Sequence, residues 1–221
     1  MFRILLAAFL GSLLVSCSNG YKIDGKTSVS CLDGRMFYLM TFSENSTVID
    51  SAEIVHGQFE MEGNLDSSML AMAFMDNRLL MPVVLEDGHI NIDISFEKMT
   101  VTGTPLNEQL YAFFEQKRDL DKRIDDMDRR IAQLVMDGCS VDAARAAVRS
   151  DCDGLFSDYD SMIETFITSN FDNVLSKCIF LMLYGNNDSP KCYKTMKDIL
   201  DKAPDDFRED VMIREFMARV D

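Results

Sequence analysis

At Gly103 the apolar pattern of this chain changes period, and that switch limits its fold more than any other feature. Before it, from Tyr21 onward, apolar and polar residues alternate. Ile90, Ile92, Ile94 and Phe96 fall on one side of the run from His89 to Phe96, and Phe59 and Met61 do so between Gln58 and Glu62. A period of two belongs to a strand with one buried face. Asp33-Gly34, His56-Gly57 and Asp87-Gly88 punctuate the runs. Asp87-Gly88 has the composition of a two-residue hairpin turn, because glycine tolerates positive φ. Residues 21–103 hold about seven or eight short antiparallel strands by this reading, hence a β-sandwich or a partly closed barrel.

After the switch, Leu106, Leu110, Phe113, Lys117, Leu120, Ile124, Met127, Ile131 and Leu134 follow alternating steps of four and three. That is a heptad seam interrupted at Lys117. Thr104 offers a capping hydroxyl, Pro105 a first-turn proline and Gly138 a stop, so the spacing predicts a long helix over 104–136. A short helix from Val141 to Arg149 follows behind Ser140 as cap. Leu155, Tyr159, Met162 and Phe166 then repeat the four-three step and fold back on the long helix. Asp172 to Tyr184, Pro190 to Lys202 and Pro204 to Val220 read as three more helices. The predicted class is therefore α+β: an N-terminal antiparallel β-sandwich or partly closed barrel, then an all-helical C-terminal half over 104–221.

The first residues read differently. Arg3 is followed by an apolar run from Ile4 to Val15, broken only by Gly11 and Ser12, the charged-then-apolar layout of a secretion signal. The run is about 12 residues, well under the roughly 20 that span a bilayer as a helix. It ends in Leu14-Val15-Ser16-Cys17, which resembles a lipobox. Residues 1–16 are thus expected to be a signal peptide and Cys17 the lipidated residue, with 17–20 as the tether. Two or more acyl chains at such a cysteine hold a protein firmly to a membrane. The tether reaches at most about 15 Å.

Acidic residues outnumber basic ones 37 to 22, a formal charge of −15. The excess is spread over both halves, so neither has a basic face for nucleic acid or anionic lipid. With Cys17 lipidated, Cys31, Cys139, Cys152, Cys178 and Cys192 remain, an odd number that cannot all pair within the chain.

The stretch Ile49-Asp50-Ser51-Ala52, through His56-Gly57-Gln58-Phe59 to Glu62-Gly63, is similar to a family of Gram-negative lipoproteins carrying the domain of unknown function 4369. So are Leu85-Glu86-Asp87-Gly88-His89-Ile90 and Val101-Thr102-Gly103-Thr104-Pro105-Leu106-Asn107. In larger members the β domain and helices precede a thioredoxin-like domain. This sequence has no tryptophan and no Cys-x-x-Cys pair. The resemblance thus implies the front part of a redox lipoprotein without its redox part, and it carries over no catalytic residue. Surface-exported lipoproteins place an acidic run after the cysteine; Ser18-Asn19-Gly20 is uncharged, which implies the periplasmic face of the cell envelope.

Candidate chemistry is sparse. Cys139 and Cys152 flank the expected short helix 141–149 and are the candidate disulfide or redox pair; Cys178 and Cys192 lie unevenly about the turn 185–189, and structural or buried thiols are the simpler reading. Asp151, Asp153, Gly154 and Asp160 fall at calcium-loop spacing, but Arg149 stands where the first carboxylate belongs, so helix capping explains them better. Met69, Met72 and Met75 do not converge on one strand face. His56 and His89 adjoin turns without partners for a triad or zinc site. The expectation is a non-enzymatic envelope lipoprotein with no metal site, no cofactor and no nucleic-acid partner. It would be joined to the membrane through the lipid on Cys17 and act as an interaction or ligand-binding module, with another envelope protein as partner. The alternative is an accessory to thiol–disulfide chemistry using Cys139 and Cys152. A ligand cleft between the two halves is compatible with the pattern.

Overall fold

The computed structural model describes residues 20–42, 46–76, 78–184 and 190–220; the expected signal peptide and Cys17 lie outside them. Eight strands form first: β1 (Gly20–Thr27), β2 (Met36–Thr41), β3 (Val48–Glu53), β4 (Gln58–Asn64), β5 (Met69–Met75), β6 (Arg78–Leu85), β7 (Gly88–Ile94) and β8 (Met99–Thr102). They make two four-stranded sheets, ordered β4-β1-β7-β8 and β3-β2-β5-β6. The sheets are open and face each other, so the fold is a sandwich. Alternation places Ile23, Phe59, Ile90 and Ile92 of one sheet against Phe37, Leu39 and Val83 of the other, all buried; Phe37 and Phe59 stack across the gap at 4.6 Å.

Three strand expectations are corrected. The pair β1–β7 is parallel, with Tyr21 opposite Gly88 and Thr27 opposite Ile94, because the chain crosses between sheets before reaching β7. For the same reason Asp87-Gly88 is no hairpin turn: β6 and β7 lie in different sheets. His56-Gly57 is a tight two-residue turn, both at positive φ (52° and 74°), where Val55 and Gln58 exchange both backbone hydrogen bonds, but it too joins strands of different sheets. The two-residue hairpin joins β5 to β6, where Met75 pairs with Arg78. Finally, Phe96 does not share the buried face of Ile90, Ile92 and Ile94. It lies beyond β7 in the turn closed by Ser95 N–H to Lys98 O and is 84% exposed.

The helices are α1 (Pro105–Met136), α2 (Val141–Thr168), α3 (Val174–Tyr184), α4 (Pro190–Lys202), α5 (Asp205–Arg208) and α6 (Val211–Val220). Gly103 makes the passage from β8 to α1: its φ is 99°, and a Cβ there would come 2.4 Å from His89 O. Gly138 and Ser140 act as expected, with Gly138 at φ 99° and Ser140 Oγ accepting from Ala143 N–H at 3.2 Å. The short helix 141–149, however, is the start of one continuous α2. Gly154 in its middle weakens a helix by only about 1 kcal/mol, too little to stop one that packs on α1. The third helix starts at Val174 rather than Asp172. The segment expected as one helix from Pro204 is two, because Asp210 turns its carboxylate onto Met212 N–H (3.0 Å) and starts α6 afresh.

α1 lies over the open side of the sandwich, against the edge strands β8 and β6, and runs antiparallel to β6. Beyond about Lys117 it runs past the sheets and packs chiefly along α2. There Leu120, Ile124, Met127, Ile131 and Leu134 are half-buried, Arg130 reaches Asp151 of α2 at 3.2 Å, and the two helices form an antiparallel arm. α3 packs on β5 and on α2, so one core runs from the sandwich through Phe113 and Ile167 to Phe180 and Phe207. No helix among the described residues is long and apolar enough to cross a membrane.

Candidate functional site

The start of α1 is fastened to the sandwich by side chains. Thr104 was expected to cap it, but its hydroxyl instead takes a hydrogen bond from Asn107 Nδ2 (2.9 Å). The carboxylate of Glu86 caps the helix, with Oε1 accepting from Leu106 N–H (2.9 Å) and Asn107 N–H (3.1 Å). An acceptor at this place satisfies orphan donors and suits the positive helix end. Asn107, fully buried, accepts from Val84 N–H (2.9 Å) and donates to Val84 O (2.7 Å). One turn on, Tyr111 donates its hydroxyl to Pro82 O (3.2 Å), and burial raises the Tyr111 pKa.

Where α1 runs past Tyr111, the contact with the sandwich opens into a cleft of about 460 Å³ between β6, the β7–β8 turn and α1. Leu80, Met81, Met99, Tyr111 and Phe114 give it apolar lining, and the exposed Phe96 belongs to it. Most of its charges are paired: Glu115 takes Lys98 Nζ (3.2 Å) and Arg118, and Lys117 Nζ meets Asp121 at 2.7 Å, while Glu97 also lines the cleft. The hydrogen bond from Lys98 leads in holding the Glu115 carboxyl below its ordinary range, with the charges of Arg118 and Lys98 assisting. Burial pulls the Lys117 ammonium down, but Asp121 and Tyr159 outweigh it and raise its pKa; the ammonium stands over the Tyr159 ring at 5.5 Å. The lining holds no histidine and no cysteine. Apolar walls of this size with fixed charges suit holding a ligand. The signal was visible at Lys117, the one polar residue in the heptad seam, which faces this cleft rather than breaking the helix.

The expected thiol pair is not brought together. Cys139 precedes α2, and Cys152 lies eleven residues past its first residue, about 17 Å along the axis against a Cα separation of about 7 Å for a disulfide. Cys31, Cys139, Cys152 and Cys178 are all free thiols. Cys152 is half-buried at a seam spacing, four residues from Val148 and three from Leu155. Burial pushes the Cys178 thiol up to about 12. The side chain of Cys192 lies outside the described residues.

The calcium-loop spacing at 149–160 falls within α2, where the residues spread round a helix instead of closing a loop. No group of three His, Cys, Asp or Glu side chains among the described residues is placed to hold a metal ion. His56 is exposed at its turn; His89, also exposed, meets Asp24 Oδ2 at 2.5 Å on the outer face of the sandwich. Met72 is buried outside the row of Met69 and Met75.

No curated protein matches the chain. Residues 21–110 match the family described as Domain of unknown function (DUF4369). The matched segment runs past Gly103 to include Leu106 and Asn107, through which the start of α1 is fastened to the sandwich, and ends one residue before Tyr111. The β-sandwich with the opening turns of α1 is thus a domain of the DUF4369 family.

Proposed function

We propose that the protein is a lipoprotein of the cell envelope, anchored through Cys17, facing the periplasm and serving as a non-catalytic binding module. Its binding site is the cleft between β6, the β7–β8 turn and α1. The single observation that carries the binding role is Phe96, a ring 84% exposed at a cleft whose walls include Leu80, Met81, Met99, Tyr111 and Phe114, an apolar concavity with an open aromatic edge of the kind that takes a ligand or partner. The anchor is supported by Arg3, the apolar run and the ending Leu14-Val15-Ser16-Cys17. The partner is an envelope protein or a smaller ligand with an apolar portion.

The test is photo-crosslinking in intact envelopes with benzoylphenylalanine in place of Phe96, and in place of Lys22 as control. An adduct of one defined mass at position 96 and none at 22 is expected. No adduct at 96 removes the binding role. Separately, Cys17→Ala should release the protein from the membrane fraction. Retention there, with no lipid on the wild-type Cys17 peptide by mass spectrometry, removes the anchor.

A further inference from the structure

The strands share a polarity that the tether makes meaningful. At one end of the sandwich lie Gly20, the loop 65–68 after β4, Asp87 between β6 and β7, and Gly103 after β8. Register places them together: Gly20 stands opposite Asn64, Tyr21 opposite Gly88, and Met69 opposite Leu85. Gly20 N–H is tied to Asp87 Oδ1 at 2.9 Å, and the neighbouring Glu86 holds the first amides of α1. The lipid end of the chain and the N-terminus of α1 therefore leave from the same pole.

From that pole α1 runs beside β6, from Val84 at Asn107 to Pro82 at Tyr111, and continues past the sheets. Its 32 residues measure about 48 Å. The β7–β8 turn and Phe96 sit at the other pole, about 20 Å away along the seven residues of β7.

We infer that the protein stands on the bilayer on the pole formed by Gly20, the loop 65–68 and Asp87, with the α1–α2 arm directed into the aqueous phase. This inference rests on the anchoring of Cys17. The occupant of that pole is the lipid surface, because the chain between Cys17 and Gly20 spans at most about 15 Å and ends there. Charge does not choose this pole: the chain as a whole carries −15, and Asp66 and Asp87 stand at the pole, so the short tether, not attraction to headgroups, holds it against the bilayer. The cleft then opens on the membrane-distal side, and its occupant arrives from water rather than from the bilayer.

The test is neutron reflectometry of the mature lipidated protein on a supported bilayer of phosphatidylethanolamine and phosphatidylglycerol. An upright molecule gives a protein layer of about 50 Å, set by α1; one lying flat gives about 30 Å, the width of four strands plus a helix layer. Replacing residues 122–154 by a short glycine–serine loop should thin an upright layer by about 20 Å and leave a flat one unchanged. If that variant does not fold, the wild-type thickness alone decides. A lipidated protein in a 30 Å layer overturns the orientation and leaves the anchor standing. Absence of lipid on Cys17 overturns the anchor, and the orientation with it.

Discussion

The side-chain amide of Asn107 is hydrogen-bonded to both backbone polar atoms of Val84. It does for the outer edge of β6 what a neighbouring strand would do. The bonds are buried, so their loss leaves a donor and an acceptor without water.

Asn107→Leu should therefore cost about 2–6 kcal/mol, from two buried groups left unpaired at about 1–3 kcal/mol each. Urea unfolding measures it as a lower midpoint with unchanged slope. A loss under about 0.5 kcal/mol would mean that α1 needs no such fastening.

A Cβ on Gly25 would lie 2.1 Å from the Phe59 ring, which fills the space over the glycine and stacks on Phe37. Gly25→Val should destabilise by more than about 3 kcal/mol through overpacking, and adding Phe59→Leu should recover part of it. Strictly additive effects in that double-mutant cycle would refute the contact.

Lys177 Nζ meets Asp210 Oδ2 at 2.8 Å. Burial pushes the Asp210 carboxyl up, but Lys177 and the amides of Met212 and Ile213 outweigh it and hold it below the ordinary range. A carboxyl depressed on folding stabilises above its unfolded pKa of about 4, and that contribution is lost as pH falls through the folded value. Lys177→Met should accordingly be less stable than wild type at pH 6, with the gap closing towards pH 2. A gap independent of pH would show that the lysine acts through packing alone.

Cys178 is 1% exposed with its thiol pushed up to about 12, so few molecules carry the reactive thiolate at pH 8. Iodoacetamide should modify the exposed Cys31 and Cys139 within minutes and Cys178 only after denaturation. Mass mapping also tests the distance between Cys139 and Cys152: a bridge joining them in the folded protein would contradict a continuous α2.

Much of this architecture was legible because burial imposes a period. Ile90, Ile92 and Ile94 announce β7 by alternation, and Leu110 to Leu134 announce α1 by its seam. Alternation is blind to direction and to sheet membership, so the parallel pairing of β1 with β7 and the crossing at Asp87-Gly88 were not readable. It also ran one residue pair too far, to Phe96, because a turn residue obeys no face. Glu86 carries no periodic signal for its capping role, since its partner amides lie twenty positions on. The cleft was hidden for a related reason: β6, the β7–β8 turn and α1 meet only in three dimensions.

That α1 lies over the open side of the sandwich has a consequence for how the chain folds. β6 and β8 are edge strands, and a bare edge with free backbone groups recruits other chains. Until α1 settles, the half-made sandwich is a template for aggregation; once Asn107 and Tyr111 seat, the β6 edge is occupied at Val84 and Pro82. Since α1 is the next element after β8, the chain supplies its own edge guard as soon as the last strand is in place. Only a short interval remains in which two copies can join through that edge.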